Sequence, residues 1–137
     1  MSDKPFFDTN VLVYAFSKDD ARQEVARRLL AMGGVIGVQT LNEFVAVAKR
    51  AARSWEQISE ALVAIRVLCP APISLTIQTH ETALRIAQRY QYRIFDSLII
   101  AAAIEAGCRM LYSEDMNDGQ AIENLTIRNP FTTNRDS

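Results

Sequence analysis

Four acidic residues of this chain, Asp8, Glu43, Asp96 and Asp115, stand where a fold can gather them. Asp8 comes directly after Phe6-Phe7, which reads as the end of a short buried strand. Glu43 lies in the first turn of a helix that follows a second apolar run, Val35-Ile36-Gly37-Val38. Asp96 opens an almost wholly apolar helix, and Asp115 comes three residues after Met110-Leu111-Tyr112. In open α/β sheets, ligands collect beyond the carboxyl ends of the strands, so all four carboxylates can face one end. Gathered there they repel one another, and burying any of them unpaired is costly. A hard divalent cation, Mg²⁺ or Mn²⁺, removes both problems, because it prefers oxygen ligands and keeps several waters. No His or Cys joins the set, which argues against zinc.

Each acid also has a purely local explanation. Thr40-Leu41-Asn42-Glu43 has the form of a capping box, in which Glu43 reaches back to the backbone of Thr40; spacing alone leaves that role and a metal role equally open. Asp96 suits an N-cap, with Phe95 and Ile100 spaced as a hydrophobic staple. Asp115 sits in Ser113-Glu114-Asp115-Met116-Asn117-Asp118-Gly119, the composition of a solvated turn. Asp8 is hardest to explain locally, because an acid directly after two phenylalanines at a strand end needs a partner. The joint placement says more than any one residue.

The elements that must position these acids follow from periodicity. Thr9 or Asn10 can cap a helix from Val11 that carries Val11, Leu12, Ala15 and Phe16. A second helix runs over 19–32, with Val25, Ala26, Leu29 and Leu30 on one face, and Gly33-Gly34 stops it. Val35–Val38 reads as a second buried strand. Helices follow over 40–53 and 54–68, the latter ending before Cys69-Pro70-Ala71-Pro72. A strand at 73–75, a helix over 76–90, a buried helix over 96–106, a strand at 110–112 and another at 125–127 complete the order. Strands alternating with helices predict a single α/β domain over 1–137, a three-layer α/β/α sandwich whose short parallel sheet is covered on both faces.

Composition narrows the class. The chain has 137 residues, 49% hydrophobic and 23% charged, the balance of an ordinary globular domain. A formal net charge of −1 excludes a nucleic-acid binder that works by overall charge, though not an enzyme with a local basic rim. Cys69 and Cys108 lie far apart among apolar neighbours and read as reduced, packed thiols. The N-terminus lacks the basic and apolar regions of a signal peptide, and the apolar run Leu98–Ile104 is too short to span a bilayer. The expectation is a soluble cytoplasmic domain without a membrane partner.

Several segments resemble the motifs of one family, the PIN-domain nucleases. Phe7-Asp8-Thr9-Asn10-Val11-Leu12-Val13-Tyr14-Ala15 resembles their opening motif, and Gln39-Thr40-Leu41-Asn42-Glu43-Phe44 their second. Phe95-Asp96-Ser97-Leu98-Ile99-Ile100-Ala101-Ala102-Ala103 is similar to the third, and Leu111-Tyr112-Ser113-Glu114-Asp115-Met116 to the fourth. Asn129-Pro130-Phe131 is similar to the ending of the bacterial VapC-toxin type. The resemblance runs from Pro5 to about Phe131 and keeps order and spacing. It implies a short parallel sheet flanked by helices and Mg²⁺- or Mn²⁺-dependent endoribonuclease cleavage of single-stranded or looped RNA. It further implies that Asp8, Glu43 and Asp96 are core metal ligands and Asp115 the fourth acid. Asp118 is a further candidate metal ligand, at a position where family members vary; Glu114 is expected to point away, and Thr9 or Asn10 and Ser113 match supporting positions. A homodimer and a small antitoxin that occludes the acidic groove are implied as partners.

On this reading the chemistry is metal-assisted phosphodiester hydrolysis, with Asp96 or Asp115 as candidate proton acceptor. Candidate cations for the polyanion are Lys49, Arg50, Arg53, Arg89 and Arg93, and candidate stacking rings are Tyr14, Tyr90 and Tyr92. His80, the sole histidine, reads as a packing or capping residue, and Trp55 as core or interface. Other classes fit less well. A haloacid-dehalogenase phosphatase needs Asp-x-Asp where position 10 is Asn, and a receiver domain needs a downstream lysine that is missing after Lys49. A PIN-fold module that binds RNA or protein without cutting is the alternative that activity alone separates.

Overall fold

Strand β1 (Phe6–Phe7) is two residues long, yet its rings divide the core. Successive strand side chains point to opposite faces. Phe6 packs with Ile99, Ile100, Leu111 and Ile127 on one side of the sheet. Phe7 packs with Leu12, Leu30, Phe44 and Ile65 on the other. The computed structural model describes residues 3–132; Met1 and Ser2, part of the stretch read for a leader, and 133–137 lie outside the described residues.

On the Phe7 side lie α1 (Thr9–Ala15), α2 (Asp20–Ala31), α3 (Val38–Arg50) and α4 (Trp55–Leu68). On the Phe6 side lie α5 (Ile77–Tyr90) and α6 (Ile94–Glu105). The three-layer α/β/α arrangement is therefore present. Helix α6 has the central position its composition demands, with Leu98 through Ala103 all buried. A helix that is apolar all round has no face to offer water.

The sheet differs from expectation in two ways. Its order is β1-β2-β4-β3, with β2 (Met110–Tyr112), β3 (Ala121–Ile122) and β4 (Leu125–Arg128). The β1–β2 and β2–β4 pairs are parallel, but β3 runs antiparallel to β4, so the sheet is mixed. The short β3 has no counterpart among the expected strands; the chain reverses after it at Glu123, which takes a positive φ of 54°. The segments 35–38 and 73–75 form isolated bridges rather than strands, Phe6 with Val35 and Gly37 with Ile73. The reason is local: α3 begins at Val38 and leaves too few extended residues to pair. Their backbone bonds still continue the layer, Phe7 N to Val35 O at 3.0 Å and Ile73 N to Ile36 O at 2.8 Å. Gly34 lets the chain pass against β1, where a Cβ would press into the Phe7 ring.

Candidate active site

Asp8 is set by the sheet and by the helix it starts. Its backbone N donates to Tyr112 O at 2.9 Å, which ties it to the end of β2. Asp8, not Thr9 or Asn10, is the N-cap of α1: it holds the extended conformation, and its Oδ1 accepts from Thr9 N at 2.7 Å. Its Oδ2 accepts from Ser113 Oγ at 2.7 Å. Burial drives the Asp8 pKa up to about 6; the bonds from Ser113 and Thr9 oppose this, and the charges of Asp96 and Glu43 add to it. Desolvation wins because it acts on the whole carboxylate, whereas each oxygen accepts one bond in compensation.

Structure separates the two readings of Glu43. Helix α3 starts at Val38, and the residue that reaches back is Thr40, whose Oγ1 accepts from Gly37 N at 3.1 Å. Glu43 is thereby released from capping. Its carboxylate accepts from Thr9 Oγ1 at 2.8 Å and from Gln39 Nε2 at 3.1 Å.

Asp96 is likewise not a cap. Helix α6 begins at Ile94 with Arg93 as N-cap, so Asp96 sits in the first turn, 3.5 Å from Arg93 Nη2. Burial raises its pKa, the Arg93 charge opposes the rise, and Asp115 and Glu43 reinforce it. The staple between Phe95 and Ile100 is absent as well: Phe95 is 60% exposed while Ile100 is fully buried. Asp115 is exposed, its Oδ2 accepting from Asn10 Nδ2 at 3.1 Å and its N donating to Ser113 Oγ at 3.3 Å.

Asp8, Glu43, Asp96 and Asp115 line one open cleft of about 550 Å³, together with Asn10, Arg50, Arg93 and Phe95. Asp118 does not line it. Its Oδ1 accepts from Asn129 N at 2.9 Å, which holds the loop to the end of β4. Glu114 points away from the cleft and has its own partners, Tyr14 Oη at 2.7 Å and Arg22 Nε at 2.8 Å. The bond to Glu114 pushes the Tyr14 phenol up to about 12.

The donor chemistry fits a hard cation. Every acidic group in the cleft offers oxygen, and each Asp8 oxygen keeps a second lone pair after its hydrogen bond. Asn10 Oδ1 is buried without a hydrogen-bond partner among the described residues, an acceptor suited to a water in a hydration shell. Among the described residues no three Asp, Glu, His or Cys side chains form a closed ligand set. A cation held through one or two carboxylates and its own waters, as Mg²⁺ is, does not need one.

The candidate cations sort cleanly. Arg50 and Arg93 are exposed and line the cleft. Arg53 Nη2 donates to Phe16 O at 2.6 Å and closes the C-terminal end of α1, where Arg27 Nε also donates to Ala15 O. Lys49 lies 4.7 Å over the Trp55 ring, and Arg89 lies 5.5 Å from the centre of the Tyr90 ring. His80 is exposed on α5, away from the cleft. Cys69 and Cys108 are buried and not disulfide-bonded. Sequence reasoning missed Phe95 as a cleft residue and the tie of Glu114 to Arg22. A phenylalanine at a helix start, beside an acid, was the only signal for the first.

A family model described as PIN domain matches residues 6–117. No curated protein matches the chain. Among solved structures, a toxin-antitoxin complex from Klebsiella pneumoniae is similar at 22% identity and a TM-score of 0.71, over 92% of this chain and 97% of that one. VapC20 of Mycobacterium tuberculosis, described as a Sarcin-Ricin loop cleaving toxin, is similar at 21% identity and a TM-score of 0.64, over 80% of this chain and 88% of that one. VapBC2 of Rickettsia felis, bound to a DNA fragment from its promoter, is similar at 18% identity and a TM-score of 0.67, over 90% and 96%. At these identities the likeness shows the fold.

Proposed function

The chain belongs to the PIN domain family, and from that premise we propose that it is a metal-dependent endoribonuclease and the toxin of a toxin–antitoxin pair. The observation that carries this reading is the single cleft lined by Asp8, Glu43, Asp96 and Asp115 with Arg50 and Arg93 at its side. Asp8, Glu43, Asp96 and Asp115 would hold Mg²⁺ or Mn²⁺ between them, one or two directly and the others through the ion's waters, with Asn10 within the same cleft. A cation bound there would supply a lowered pKa for a water and offset negative charge on the phosphate.

The chain's own residues do the rest. Ser113 and Thr9 fix the Asp8 carboxylate, while Thr9 and Gln39 fix that of Glu43. Arg50 and Arg93 draw the RNA backbone to a pocket that would otherwise repel it. A carboxylate oxygen of Asp96 or Asp115 takes the proton released by the attacking water. The VapC20 comparison supports a looped RNA as substrate, and the toxin-antitoxin comparison supports an antitoxin as partner. We further propose that the protein works as a homodimer in the cytoplasm; no helix of the described residues is long and apolar enough to cross a membrane.

The test is cleavage of a structured RNA panel by antitoxin-free protein with Mg²⁺, with Mn²⁺ and with EDTA, beside Asp8→Asn. Metal-requiring cleavage that disappears in the variant is the expected result. No cleavage by wild type, with no metal binding by calorimetry, overturns it in favour of a non-catalytic binding module.

A further inference from the structure

Phe95 lines the cleft of the four carboxylates with 60% of its surface exposed. The fold does not need the ring there. Arg93, not Asp96, caps α6, so Phe95 lies inside the helix rather than at the position that staples onto Ile100. Ile100 is fully buried without it, and Phe95 belongs to neither half of the core. Two cations share the cleft with it and with the acids: exposed Arg50 and Arg93. The Arg93 side chain is 83% exposed, and its contact to Asp96 is long at 3.5 Å, so a phosphate can displace it.

The tyrosines read from sequence as stacking candidates are otherwise engaged. Tyr92 Oη donates to Gln120 Oε1 at 2.6 Å and accepts from Asn117 N at 3.0 Å. Tyr90 packs against the core and carries Arg89 on its ring. Tyr14 is held by Glu114, by Arg22 over its ring and by Phe131 against its edge. Among these rings Phe95 alone combines a bare face, no polar tether and a place beside the acids.

A bare aromatic face next to guanidinium groups is the chemistry that holds an unpaired nucleotide, the base stacked on the ring and the phosphates on the cations. We propose that Phe95 is the stacking platform for one unpaired base adjacent to the scissile phosphate, with Arg93 and Arg50 holding the backbone. The inference rests on the nuclease reading of the cleft and adds to it a substrate rule: the nucleotide next to the cut must be unstacked from its neighbours. A base inside a duplex presents no face to the ring and is rejected for that reason.

The test uses the full chain, an oligoribonucleotide that wild type cleaves, and versions of it made abasic at each position flanking the cut. Phe95→Ala should raise KM roughly 5- to 100-fold with little change in kcat, the span expected for losing one stacked base. Phe95→Trp should restore it. One flanking abasic position should cost wild type the same factor and cost Phe95→Ala nothing further, a non-additivity that a merely structural role does not produce. Binding is read separately in EDTA: in a Trp55→Phe background, the fluorescence of Phe95→Trp should be quenched by the single strand and not by its duplex. An unchanged KM in Phe95→Ala, with the wild-type abasic penalty intact, overturns the platform and leaves the nuclease standing. Failure of wild type to bind or cut any RNA overturns both. A Phe95→Ala protein that cuts normally but has lost its self-association or a co-purified protein assigns the ring to a protein contact and also overturns the platform.

Discussion

Ser113 Oγ donates to Asp8 Oδ2 at 2.7 Å, a bond between residues 105 positions apart. The same oxygen accepts from Asp115 N at 3.3 Å, so one buried hydroxyl orients the acid at the end of β1 and anchors the turn that carries the acid after β2. Replacing Ser113 by Ala removes both functions while leaving the backbone bond from Asp8 N to Tyr112 O in place. Activity and metal affinity should fall about 10- to 100-fold, the usual loss when a supporting partner of a ligand is removed. Titration with Mn²⁺ beside steady-state cleavage checks this; unchanged metal affinity would show the bond to be incidental.

Asp8 predicts an unusual pH dependence for the metal-free protein. Its folded-state pKa is about 6 against an ordinary value of 3.8, so between these values the folded chain binds more protons than the unfolded one. Stability therefore falls as pH rises through that window and levels off above it. A rise of that size corresponds to a penalty on the order of 2–3 kcal/mol at neutral pH. Asp8→Asn should recover most of that at pH 7 and none at pH 4, because Asn can still accept from Thr9 N and donate to a rotated Ser113 hydroxyl. Urea melts of both proteins at the two pH values measure the difference. Mn²⁺ added to wild type should close the gap; an Asp8→Asn protein that is less stable at pH 7 contradicts the assignment.

Glu114 joins the turn 113–118 to α1 and α2 through Tyr14 and Arg22. Both carboxylate oxygens are used, so the residue acts by positioning Asp115, its chain neighbour, rather than by touching substrate. Glu114→Ala should speed amide hydrogen exchange across 113–118 at least about tenfold and lower activity in parallel. Glu114→Gln, which still accepts from Tyr14, should lie between the two. Exchange that rises with no loss of activity would separate the turn's rigidity from catalysis.

Arg50 and Arg53 are near neighbours in sequence with opposite roles. Arg50 lines the cleft, whereas Arg53 is spent on Phe16 O at 2.6 Å. Arg50→Ala should raise KM and flatten the salt dependence of RNA binding by about one phosphate contact, leaving the melt unchanged. Arg53→Ala should do the reverse, costing about 1 kcal/mol of stability with the salt slope intact. Equal salt slopes in the two variants would refute this sorting.

Gly34→Ala tests the packing beneath the site. The added methyl presses into the buried ring of Phe7, one residue before Asp8. Overpacking of this kind should cost about 1–3 kcal/mol. Chemical denaturation measures it, and an unchanged midpoint would show that the Phe7 ring gives way without cost.

Much of this site was legible in the sequence because its signals are local. An acid after two phenylalanines, an apolar helix beginning near Asp96 and a polar turn after Met110-Leu111-Tyr112 are patterns of a few residues each. The structure has them, with the helix starting at Ile94 and Asp96 in its first turn. The layered α/β arrangement follows from the same local periodicity. Other features depended on distant partners. Whether Glu43 caps its helix or faces the cleft turned on Thr40 reaching Gly37, and on Thr9, 34 residues away, reaching Glu43. Strand β3 pairs only with β4, and Ala121-Ile122 carries no strand signal of its own. The arginines were indistinguishable by type, since one guanidinium serves a phosphate, a carboxylate or the last carbonyl of a helix equally well. Composition and spacing determined which chemistry the chain can gather; only tertiary packing decided which side chains are spent on the fold and which, like Arg50, Arg93 and Phe95, are left facing the acids.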